Sequence, residues 1–570
     1  MASALQAVAV DYDGTLTDGP RPEPEVLEAV RETRAAGRAV VLVTGRILSE
    51  LRAEFPEVDA EFDAIVAENG AVLADGDGTR DLAAPVDPEL AQVLAHRDVP
   101  LRQGRVLLAC DAAQAPVALE EIGRLELDCQ LARNRSALML LPGGVTKGTG
   151  LADALANLGI SRHSTIAVGD AENDHALLES CELGVAVGNA VASLKRRADL
   201  VLDDRAGRAV AGLLRGPVLD GSERLVPRRW HLELGRTAQG VPVRIPASQI
   251  NLAVVGGSCS GKSYVTGLLA EQLIRHGYSL LLIDREGDHV GLADRRGVVA
   301  LGGREPPPTP RQLTQLLRHR FSSVVLDLSL LDGASQHRYL RELTPLVLAQ
   351  RVVTGLPHWI FLDEAHTVPD EPELRNETPA ASATGYCYST YRPGDLPAAV
   401  RADLDYVIAT AGGNDGRHDT VAFLADLTEQ PTEAITARLG DQRGRALLLH
   451  ADEATTPVPF HIAARATGHV RHWHKYIGGT LPGRLRFYFH SGLISTNLRD
   501  FHRHLGTCPP ETITHHSARR DFSNWIDNVI QDTELAATID RIEATAGHND
   551  PDPASTREAL RTAIEHRYLE

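Results

Sequence analysis

The stretch AVAVDYDGTLTDG, at residues 7–19, decides the fold of the first third of the chain. Its apolar run is typical of a buried strand, and Asp11 and Asp13 stand at the end of that strand. A helical pattern (PEVLEAVRETRAAG) and a second apolar run (RAVVLVTG) follow. Strand, helix and strand in this order predict a parallel sheet, and α/β proteins place their ligands at the carboxyl edge of such sheets. We therefore expect both carboxylates at that edge.

This carboxylate pair fits phosphoryl transfer. Asp11 would attack phosphorus as a nucleophile and form an aspartyl-phosphate. Asp13 would give a proton to the leaving oxygen and then take one from the incoming water. We also expect both carboxylates to bind a shared Mg²⁺, because this cation prefers oxygen ligands. A single DxD pattern is more often a turn or a helix cap, so the assignment depends on the rest of the chain.

Three further polar elements follow apolar runs in the same third of the chain. Thr44 ends VVLVTGR, where its hydroxyl would hold a phosphoryl oxygen. Lys147, in GGVTKG, supplies a positive charge for the phosphoryl group. Asp170 and Asp174, in STIAVGDAEND, are predicted Mg²⁺ ligands. Four elements in this order favour a catalytic site over a coincidence of turns.

These motifs resemble those of the haloacid dehalogenase (HAD) superfamily. DYDGTLT, TGR, the lysine of GVTKG and GDAEND stand in the family's order, and the resemblance covers roughly residues 5–215. It implies a Mg²⁺-dependent phosphatase with a Rossmann-like α/β domain. AENGAVL is similar to the Cof-type branch, which includes sugar-phosphate phosphatases and archaeal phosphoglycolate phosphatases, and implies a small α/β cap at about residues 72–142. Arg46, Asn69 and Asn189 are further polar candidates, each of which also reads as a turn or cap residue.

A second site is predicted after residue 250. NLAVVGGSCSGKSYVTGLL fits G-x-x-x-x-G-K-[ST] between a strand and a helix, which is the context of a P-loop. Backbone N–H groups of such a loop surround the phosphates of ATP, the lysine reaches the β- and γ-phosphates, and the final hydroxyl binds Mg²⁺. The predicted residues are Gly256, Gly257, Ser258, Cys259, Ser260, Gly261, Lys262 and Ser263, with Ser263 as the Mg²⁺ ligand.

HWIFLDEAH is the companion motif of this P-loop. Asp363 would hold Mg²⁺ through water, and Glu364 would activate the attacking water molecule. A kinase must keep water away from the phosphate, whereas an ATPase must orient it. The Asp–Glu pair therefore favours ATP hydrolysis.

Residues 225–465 resemble the HerA/FtsK-like ATPases, and HerA in particular. The supporting text is HLELGRTAQGVPVRIPASQINLAVVGGSCSGKS, LLLIDREGDH and LDEAH. The resemblance implies a RecA-like domain with an acidic residue after its second strand, for which Asp284 or Glu286 stands in the right place. It also implies a polar residue that senses the γ-phosphate, for which Thr390 is the candidate.

Composition and charge limit the partners of the chain. Its 570 residues carry a formal net charge of −18, which counts against a nucleic-acid partner without excluding one. No apolar run approaches the ~20 residues of a membrane span, and six widely spaced cysteines favour a reduced, cytoplasmic protein. The expected partners are a phosphorylated small molecule and ATP. HerA-like ATPases are commonly hexameric rings with an arginine finger from the neighbouring copy, and Arg392 or Arg417 would serve here.

The patterns predict four segments. They are a phosphatase at 1–215, a linker with a β-hairpin at 216–249, an ATPase at 250–465 and a mainly α accessory domain at 466–570. The last segment is rich in histidine, and without cysteine or acidic spacing these residues are more often packed or solvated than metal-bound. They are His472, His474, His490, His502, His504, His515 and His516.

Three functions stay open at this stage. The leading hypothesis is a Mg²⁺-dependent phosphomonoester hydrolase fused to an ATPase that regulates or assembles it. The second is an end-healing enzyme of the polynucleotide kinase/phosphatase kind. The third is a HerA-like DNA-associated motor in which the phosphatase unit is an effector.

Overall fold

The computed structural model forms two large sheets, a small four-stranded sheet and a helical C-terminal unit. It describes residues 5–134, 136–257, 260–303, 305–320, 322–367, 384–412, 416–442, 444–451, 456–467, 481, 483–530, 532–546 and 552–568. Among the described residues, no helix combines the length and the apolarity that crossing a membrane would take.

The first sheet has eight strands and contains the predicted parallel units. The strands of the first 215 residues are β1 (Ala7–Asp11), β2 (Ala39–Val43), β3 (Ala64–Ala67), β4 (Val72–Asp75), β5 (Gly78–Asp81), β6 (Arg102–Gln103), β7 (Leu108–Asp111), β8 (Cys129–Asn134), β9 (Ala137–Pro142), β10 (Thr165–Gly169), β11 (Leu183–Ala186) and β12 (Leu200–Val201). Their order in the large sheet is β12-β11-β10-β1-β2-β3-β4-β5, and β12 to β3 run parallel. All five residues of β1 are buried, as the continuous apolar run predicts.

The helices of this unit connect its strands. They are α1 (Pro24–Ala35), α2 (Leu48–Glu54), α3 (Val58–Glu61), α4 (Pro88–His96), α5 (Ala115–Arg124), α6 (Lys147–Leu158), α7 (His175–Glu179), α8 (Ala192–Arg197), α9 (Ala206–Leu214) and α10 (Pro217–Asp220). Helix α6 begins with a capping box, in which the Thr146 hydroxyl accepts the N–H of Thr149. This cap fixes the start of the helix at Lys147, which the site uses.

The inserted cap starts later than the sequence indicates. Its sheet has the order β6-β7-β9-β8, and α4 and α5 contribute to the separate core that covers one face of this sheet. By contrast β4 and β5, which the predicted range 72–142 assigns to the cap, pair antiparallel onto β3 in the large sheet. The reason is a turn at Glu68–Gly70, where all three residues have positive φ and the chain reverses beside β3. The insertion therefore begins after Asp81.

The second sheet has eleven strands. They are β13 (His231–Arg236), β14 (Pro242–Pro246), β15 (Asn251–Val255), β16 (Leu280–Asp284), β17 (Val298–Gly302), β18 (Ser323–Asp327), β19 (Trp359–Leu362), β20 (Tyr386–Thr390), β21 (Tyr406–Thr410), β22 (Arg445–His450) and β23 (Val458–Ile462). Their order is β14-β13-β23-β22-β21-β15-β20-β19-β16-β18-β17, with a parallel block from β21 to β17. The hairpin predicted in 216–249 is β13–β14, and it belongs to this sheet because β13 pairs with β23.

Helices of the second unit include the long helix that follows the P-loop. They are α11 (Lys262–His276), α12 (Pro310–Leu317), α13 (Gly333–Thr354), α14 (Ala398–Ala402), α15 (Arg417–Thr428) and α16 (Thr432–Leu439). In the C-terminal unit the described helices are α17 (Leu498–Thr507), α18 (Pro510–Ala518), α19 (Asp521–Trp525), a π-helical turn (Ile526–Ile530), α20 (Thr533–Ala546) and α21 (Pro553–Tyr568), beside the strand pair β24 (Phe487–Tyr488) and β25 (Ile494–Ser495).

The two α/β units contact each other through a buried polar cluster around Glu182. Its carboxylate accepts a hydrogen bond from the Tyr278 hydroxyl at 2.9 Å and another from Ser248, both in the second unit. The Nδ1 atom of His163 lies 2.7 Å from the same carboxylate, and its ring stacks on Tyr278. Since a buried carboxylate is stable only when it is paired, this cluster ties the two units together.

Candidate active sites

Neighbouring strand ends bring the predicted phosphatase residues together. Asp11 ends β1, Thr44 follows β2 and Asp170 follows β10, and β2 and β10 flank β1 in parallel register. Asp174 lies in the short 3₁₀ turn after Asp170, and Lys147 opens α6. The carboxyl edge of the sheet therefore collects these five side chains, as the sequence predicts.

A buried lysine lies at the centre of this site. Lys147 Nζ lies 2.5 Å from Asp11 Oδ1 and 2.6 Å from Asp174 Oδ1, and the lysine side chain has no solvent exposure. Burial lowers the pKa of Lys147, but the two carboxylates outweigh burial and raise it. Burial, followed by the charges of Asp174 and Asp170, raises the pKa of Asp11 although Lys147 acts against them. The site therefore has more buried negative charge than one lysine balances.

Three of the carboxylates are arranged to hold a cation. The ligand oxygens of Asp11, Asp170 and Asp174 all lie within 4.8 Å of one another, and all three residues are buried. Thr15 donates a hydrogen bond to Asp170 Oδ1 at 3.3 Å. A set of hard oxygen donors with excess negative charge fits Mg²⁺.

The Asp13 carboxylate does not join this cluster, although the sequence predicts it as a metal ligand. Arg46 holds it instead, with Nη2 2.7 Å from Oδ1 and Nε 2.9 Å from Oδ2. The guanidinium also contacts Glu54 and lies over the Tyr12 ring. Asp13 is therefore a partly exposed group beside the buried cluster and not a member of it.

Of the other polar candidates, Asn69 contacts the site and Asn189 has a structural role. Asn69 accepts a hydrogen bond from Asn173 at 3.1 Å, in the turn that carries Asp174. Asn189 has a supporting role: it donates to the carbonyl of Gly14 at 2.7 Å and accepts the N–H of Ala206. It thereby fixes the loop after Asp13.

Sequence reasoning missed Glu68, a buried carboxylate that joins the sheet to the cap. It accepts the backbone N–H groups of Arg105, Val106 and Leu107 at 2.9, 2.9 and 3.1 Å. A side chain on Gly104 would collide with this carboxylate. Glu68 stands in AENG, but only the folded chain shows that its partners lie some forty residues later.

One face of the cap sheet packs toward the phosphatase core. Ala109, Met139 and Leu141 join the core of the large sheet, whereas Leu138 and Leu140 pack in the separate core of the cap. A methyl group added to Gly45, next to Thr44, would lie 3.1 Å from Met139 Sδ. The cap sheet therefore presents apolar side chains to the segment beside Thr44.

The P-loop connects β15 to α11 as predicted. Lys262 Nζ donates to the carbonyl of Gly257 at 3.1 Å and lies over the Tyr391 ring. Gly256 and Gly261 have φ of 157° and 100°, and a side chain at Gly256 would meet Thr410 and Ser260. Ser263 is the second residue of α11. Ser258 and Cys259 lie outside the described residues.

Asp363 and Glu364 follow β19, between β16 and β20. Burial, followed by the charges of Glu364 and Asp284, raises the pKa of Asp363. Glu364 has a positive φ of 50°, and the Nδ1 atom of His366 lies 3.3 Å from its Oε2 and 3.1 Å from Thr390 Oγ1. Glu364 is predicted to activate water and Thr390 to sense the γ-phosphate. Both side chains thus contact His366.

Asp284 anchors the turn after β16. Its carboxylate accepts N–H groups of residues 286–289, the closest being Gly287 at 2.7 Å and His289 at 2.8 Å. Burial and the charges of Asp288 and Asp327 raise the pKa of Asp284 to about 8. Burial lowers the pKa of His289 to about 4, so its ring is neutral.

The arginine-finger candidates differ in their surroundings. Arg417 Nη2 lies 2.7 Å from Asp441 within the same unit. Arg392 is exposed, 3.9 Å from Asp395, and lies over the Tyr391 ring. Arg392 is therefore the one available to another molecule.

The C-terminal histidines have structural partners where they are described. His516 Nδ1 lies 2.8 Å from Asp521, and its Nε2 accepts the N–H of His490 at 2.8 Å. His515, His516 and Asp521 lie close together, yet both ring nitrogens of His516 are already used. His472 and His474 lie outside the described residues.

Two family models match the chain, one in each α/β unit. The model for haloacid dehalogenase-like hydrolases matches residues 8–95 and 126–214. The model for the central domain of helicase HerA matches residues 232–337. Both resemblances drawn from the sequence are thereby confirmed.

Curated relatives of this chain include archaeal phosphoglycolate phosphatases. The protein of that name from Methanothermobacter thermautotrophicus is 32% identical over 217 residues, which is 37% of this chain and 98% of that protein. Its namesake from Archaeoglobus fulgidus is 31% identical over 37% of this chain and 95% of its own. Phosphoglycolate phosphatase 2 of Saccharolobus solfataricus is 32% identical over 22% of this chain and 53% of its own.

Proposed function

Because the chain belongs, through residues 8–214, to the haloacid dehalogenase-like hydrolases, we propose that this unit hydrolyses phosphomonoesters through an aspartyl-phosphate on Asp11. The observation that carries the proposal is the buried contact of Lys147 with Asp11 and Asp174 beside Asp170. Mg²⁺ held by these carboxylates would neutralise charge on the phosphoryl oxygens.

The reaction has two steps, formation of the aspartyl-phosphate and its hydrolysis, and each side chain of the site has a role in one or both. Asp11 attacks phosphorus, and Lys147 orients its carboxylate and acts against the rise of its pKa that burial causes. Asp13, held by Arg46, gives its proton to the leaving oxygen. The same carboxylate then takes a proton from the water that hydrolyses the aspartyl-phosphate. Thr44 is placed to donate a hydrogen bond to a phosphoryl oxygen.

The inner face of the cap favours a small substrate. This face presents Ala109 and Met139, and Met139 comes close to the backbone beside Thr44. A bulky leaving group would need this face to move away. The relatives named as phosphoglycolate phosphatases make phosphoglycolate the first substrate to test.

The second unit is proposed to hydrolyse ATP. Lys262 would contact the β- and γ-phosphates, Asp363 would hold the accompanying Mg²⁺, and Glu364 would activate water. The Glu182 cluster, which joins the two units, supports the view that ATP binding regulates or assembles the phosphatase. A kinase-type end-healing enzyme is disfavoured, because Glu364 suits the activation of water rather than the exclusion of water.

A DNA-associated motor is the second candidate function. The match of residues 232–337 to the HerA central domain favours it. In that case ATP hydrolysis would increase on addition of DNA, and the chain would form a ring in solution. Hydrolysis that is indifferent to DNA in a monomeric protein would remove this candidate.

The phosphatase proposal is tested with a panel of phosphomonoesters in the presence of Mg²⁺. The panel includes phosphoglycolate, sugar phosphates, nucleotides and 5′- and 3′-phosphorylated DNA ends. Asp11→Asn should abolish hydrolysis of every substrate, whereas Lys262→Ala should abolish ATP hydrolysis alone. Phosphatase activity that persists in Asp11→Asn would exclude the proposed nucleophile.

A further inference from the structure

Three side chains from neighbouring elements converge beside the ATP site. Asp284 ends β16, His289 lies in the turn that follows, and Asp363 follows β19, the strand paired with β16. Their ligand atoms all lie within 4.8 Å of one another, and all three residues are buried. The cluster therefore joins the β16 turn to the residue predicted to accompany the Mg²⁺ of ATP.

His289 is the unusual member of this cluster. Its side chain has no solvent exposure, and neither ring nitrogen has a hydrogen-bond partner among the described residues. Its Nε2 atom lies 3.9 Å from Asp363 Oδ2, which is too long for a hydrogen bond. A buried imidazole without a partner is costly, so the arrangement suits a ligand held between the ring and the carboxylates.

The surrounding charge indicates that this ligand is a cation. Asp284 and Asp363 each lie close enough to the other carboxylates to be influenced by their charge, and Asp288 contributes to both environments. Asp284 Oδ1 accepts three N–H groups of the turn, whereas Oδ2 accepts that of His289 and keeps a second lone pair for a cation. The charge of Arg285 reaches Asp363, and that of Arg465 reaches His289.

The ligand atoms of the cluster, one imidazole nitrogen and carboxylate oxygens, determine which cations it would bind. Mg²⁺ and Ca²⁺ prefer sites made of oxygen alone. Imidazole nitrogen with carboxylate oxygen suits divalent transition metals such as Mn²⁺, Fe²⁺, Co²⁺ or Zn²⁺. A site with one histidine and two aspartates therefore differs in kind from the all-carboxylate cluster of Asp11, Asp170 and Asp174.

We propose that Asp284, His289 and Asp363 bind a divalent transition-metal ion in the absence of nucleotide. This site shares Asp363 with the Mg²⁺ that is proposed to accompany ATP, and it goes beyond the proposed ATPase function because it requires neither nucleotide nor phosphate. The bound ion holds Asp363 against the turn after β16. It thereby makes the orientation of this carboxylate depend on the metal supply as well as on ATP.

The test uses the full chain without a histidine tag, stripped with EDTA and loaded with Mn²⁺ in the absence of nucleotide. Pulsed electron paramagnetic resonance then detects ¹⁴N nuclei coupled to bound Mn²⁺. The phosphatase cluster offers only carboxylate ligands, so a nitrogen coupling indicates a histidine ligand, and the variants identify which histidine it is. We expect the coupling in the wild type, its loss in His289→Gln, and its retention in Asp170→Asn.

Matched variants keep the result interpretable. His515→Gln alters another histidine near an acidic group and should leave the coupling unchanged. Asp363→Asn, a nearly isosteric change, should weaken the affinity of this site for Mn²⁺ by about tenfold or more. Lys262→Ala should abolish ATP hydrolysis and keep the coupling, which separates this proposal from that of the ATPase. A circular dichroism spectrum and a thermal unfolding profile like those of the wild type show that His289→Gln is folded.

Three results would overturn the proposal. The first is a wild-type protein that binds Mn²⁺ without any nitrogen coupling. The second is a coupling that survives in His289→Gln, and the third is a Mn²⁺ affinity that Asp363→Asn leaves unchanged. In each case His289 is a neutral packed residue whose neighbour at 3.9 Å is not a co-ligand.

Discussion

Lys147 shows at the residue scale how the phosphatase site is held together. It is fully buried and contacts two carboxylates from different elements. Removing one partner of a buried pair leaves the other charges uncompensated, which is far more costly than losing a surface pair. The stability of the fold and the reactivity of Asp11 therefore depend on the same ammonium group.

We predict that Lys147→Ala lowers the free energy of unfolding by about 3 kcal/mol, because Asp11 and Asp174 remain buried without a counter-charge. The rate of phosphomonoester hydrolysis should also fall by about 100-fold or more. Urea unfolding and steady-state kinetics measure the two effects. The control is Arg52→Ala, which removes an exposed pair with Asp59 and should change neither quantity appreciably. Equal stability of Lys147→Ala and wild type would contradict the prediction.

Glu543 carries a pH-dependent contribution to stability in the C-terminal unit. Burial raises its pKa from 4.5 to about 7, although it accepts the N–H groups of Phe522 and Ser523. Because the folded pKa is the higher one, the neutral acid favours the folded state below pH 4.5. This contribution is lost as the pH rises through about 7.

Glu543→Gln should therefore lower the melting temperature more at pH 4.5 than at pH 8. Glutamine never ionises, but its one amide oxygen replaces only one of the two carboxylate oxygens that accept the N–H groups of Phe522 and Ser523, and this loss is the same at both pH values. At pH 8 the variant avoids the cost of burying an ionised carboxylate, which offsets part of the loss. Thermal unfolding followed by circular dichroism at the two pH values measures the difference. A variant that is destabilised more at pH 8 than at pH 4.5 would show that the ionised carboxylate is the favoured form.

Residues whose chemistry is fixed by a motif were predictable from the sequence. Asp11, Lys147 and Asp170 stand after apolar strands in a recognisable order, and the structure brings them together. Asp13 is the exception, because only the folded chain shows that Arg46 holds its carboxylate. His289 gave no sequence signal, because its neighbour Asp363 follows β19, far along the chain from the turn after β16.

At the element scale, α11 packs against the segment that leaves the second sheet. Glu271 accepts the N–H groups of Ala466 and Thr467, and the buried Arg465 lies across Gly267. A methyl group on Gly267 would lie 2.3 Å from Arg465 Cζ. The glycine is therefore required by close packing in the middle of the P-loop helix.

We predict that Gly267→Ala destabilises the wild type and stabilises an Arg465→Ala background. Alanine gains about 1 kcal/mol over glycine within a helix, but in the wild type the collision with the buried guanidinium outweighs this gain. The control is Gly212→Ala in α9, where no atom lies within 4 Å of the added methyl group, so this change should stabilise slightly. The same sign for Gly267→Ala in both backgrounds would refute the packing argument.

Elements with long apolar runs were predictable, and those defined by their partners were not. The five parallel strands β15, β16, β18, β19 and β21 follow from their composition. Strand β20, in the polar-looking GYCYSTYRP, pairs between β15 and β19 and was not predicted. The start of the cap was placed too early because the turn at Glu68–Gly70 determines where β4 pairs.

At the scale of the whole molecule, two α/β units share a buried polar contact. Its centre is Glu182, with Tyr278 and Ser248 from the second unit and His163 from the first. The sequence predicted both units and their order. It did not predict this contact, because its members are polar residues that become significant only when they meet.

Glu182→Ala should separate the unfolding of the two units. The hydroxyl groups of Tyr278 and Ser248 would then be buried without their acceptor, which costs free energy at the contact alone. We expect calorimetry to resolve an additional transition that the wild type lacks. Glu179→Ala, which removes an exposed pair with Arg197, is the control and should leave the wild-type profile. An unchanged profile in Glu182→Ala would mean that this cluster does not couple the units.

The central claim is that Asp11 carries the phosphoryl group during turnover, and acid quenching tests it most directly. The nucleotide-free chain is mixed with phosphoglycolate and Mg²⁺, quenched within one turnover and reduced with borohydride, which converts an aspartyl-phosphate into homoserine. Peptide mass spectrometry should locate homoserine at position 11 and none at Asp13, Asp170 or Asp174. Turnover without modification at position 11, or modification at one of the other three positions, would contradict the account.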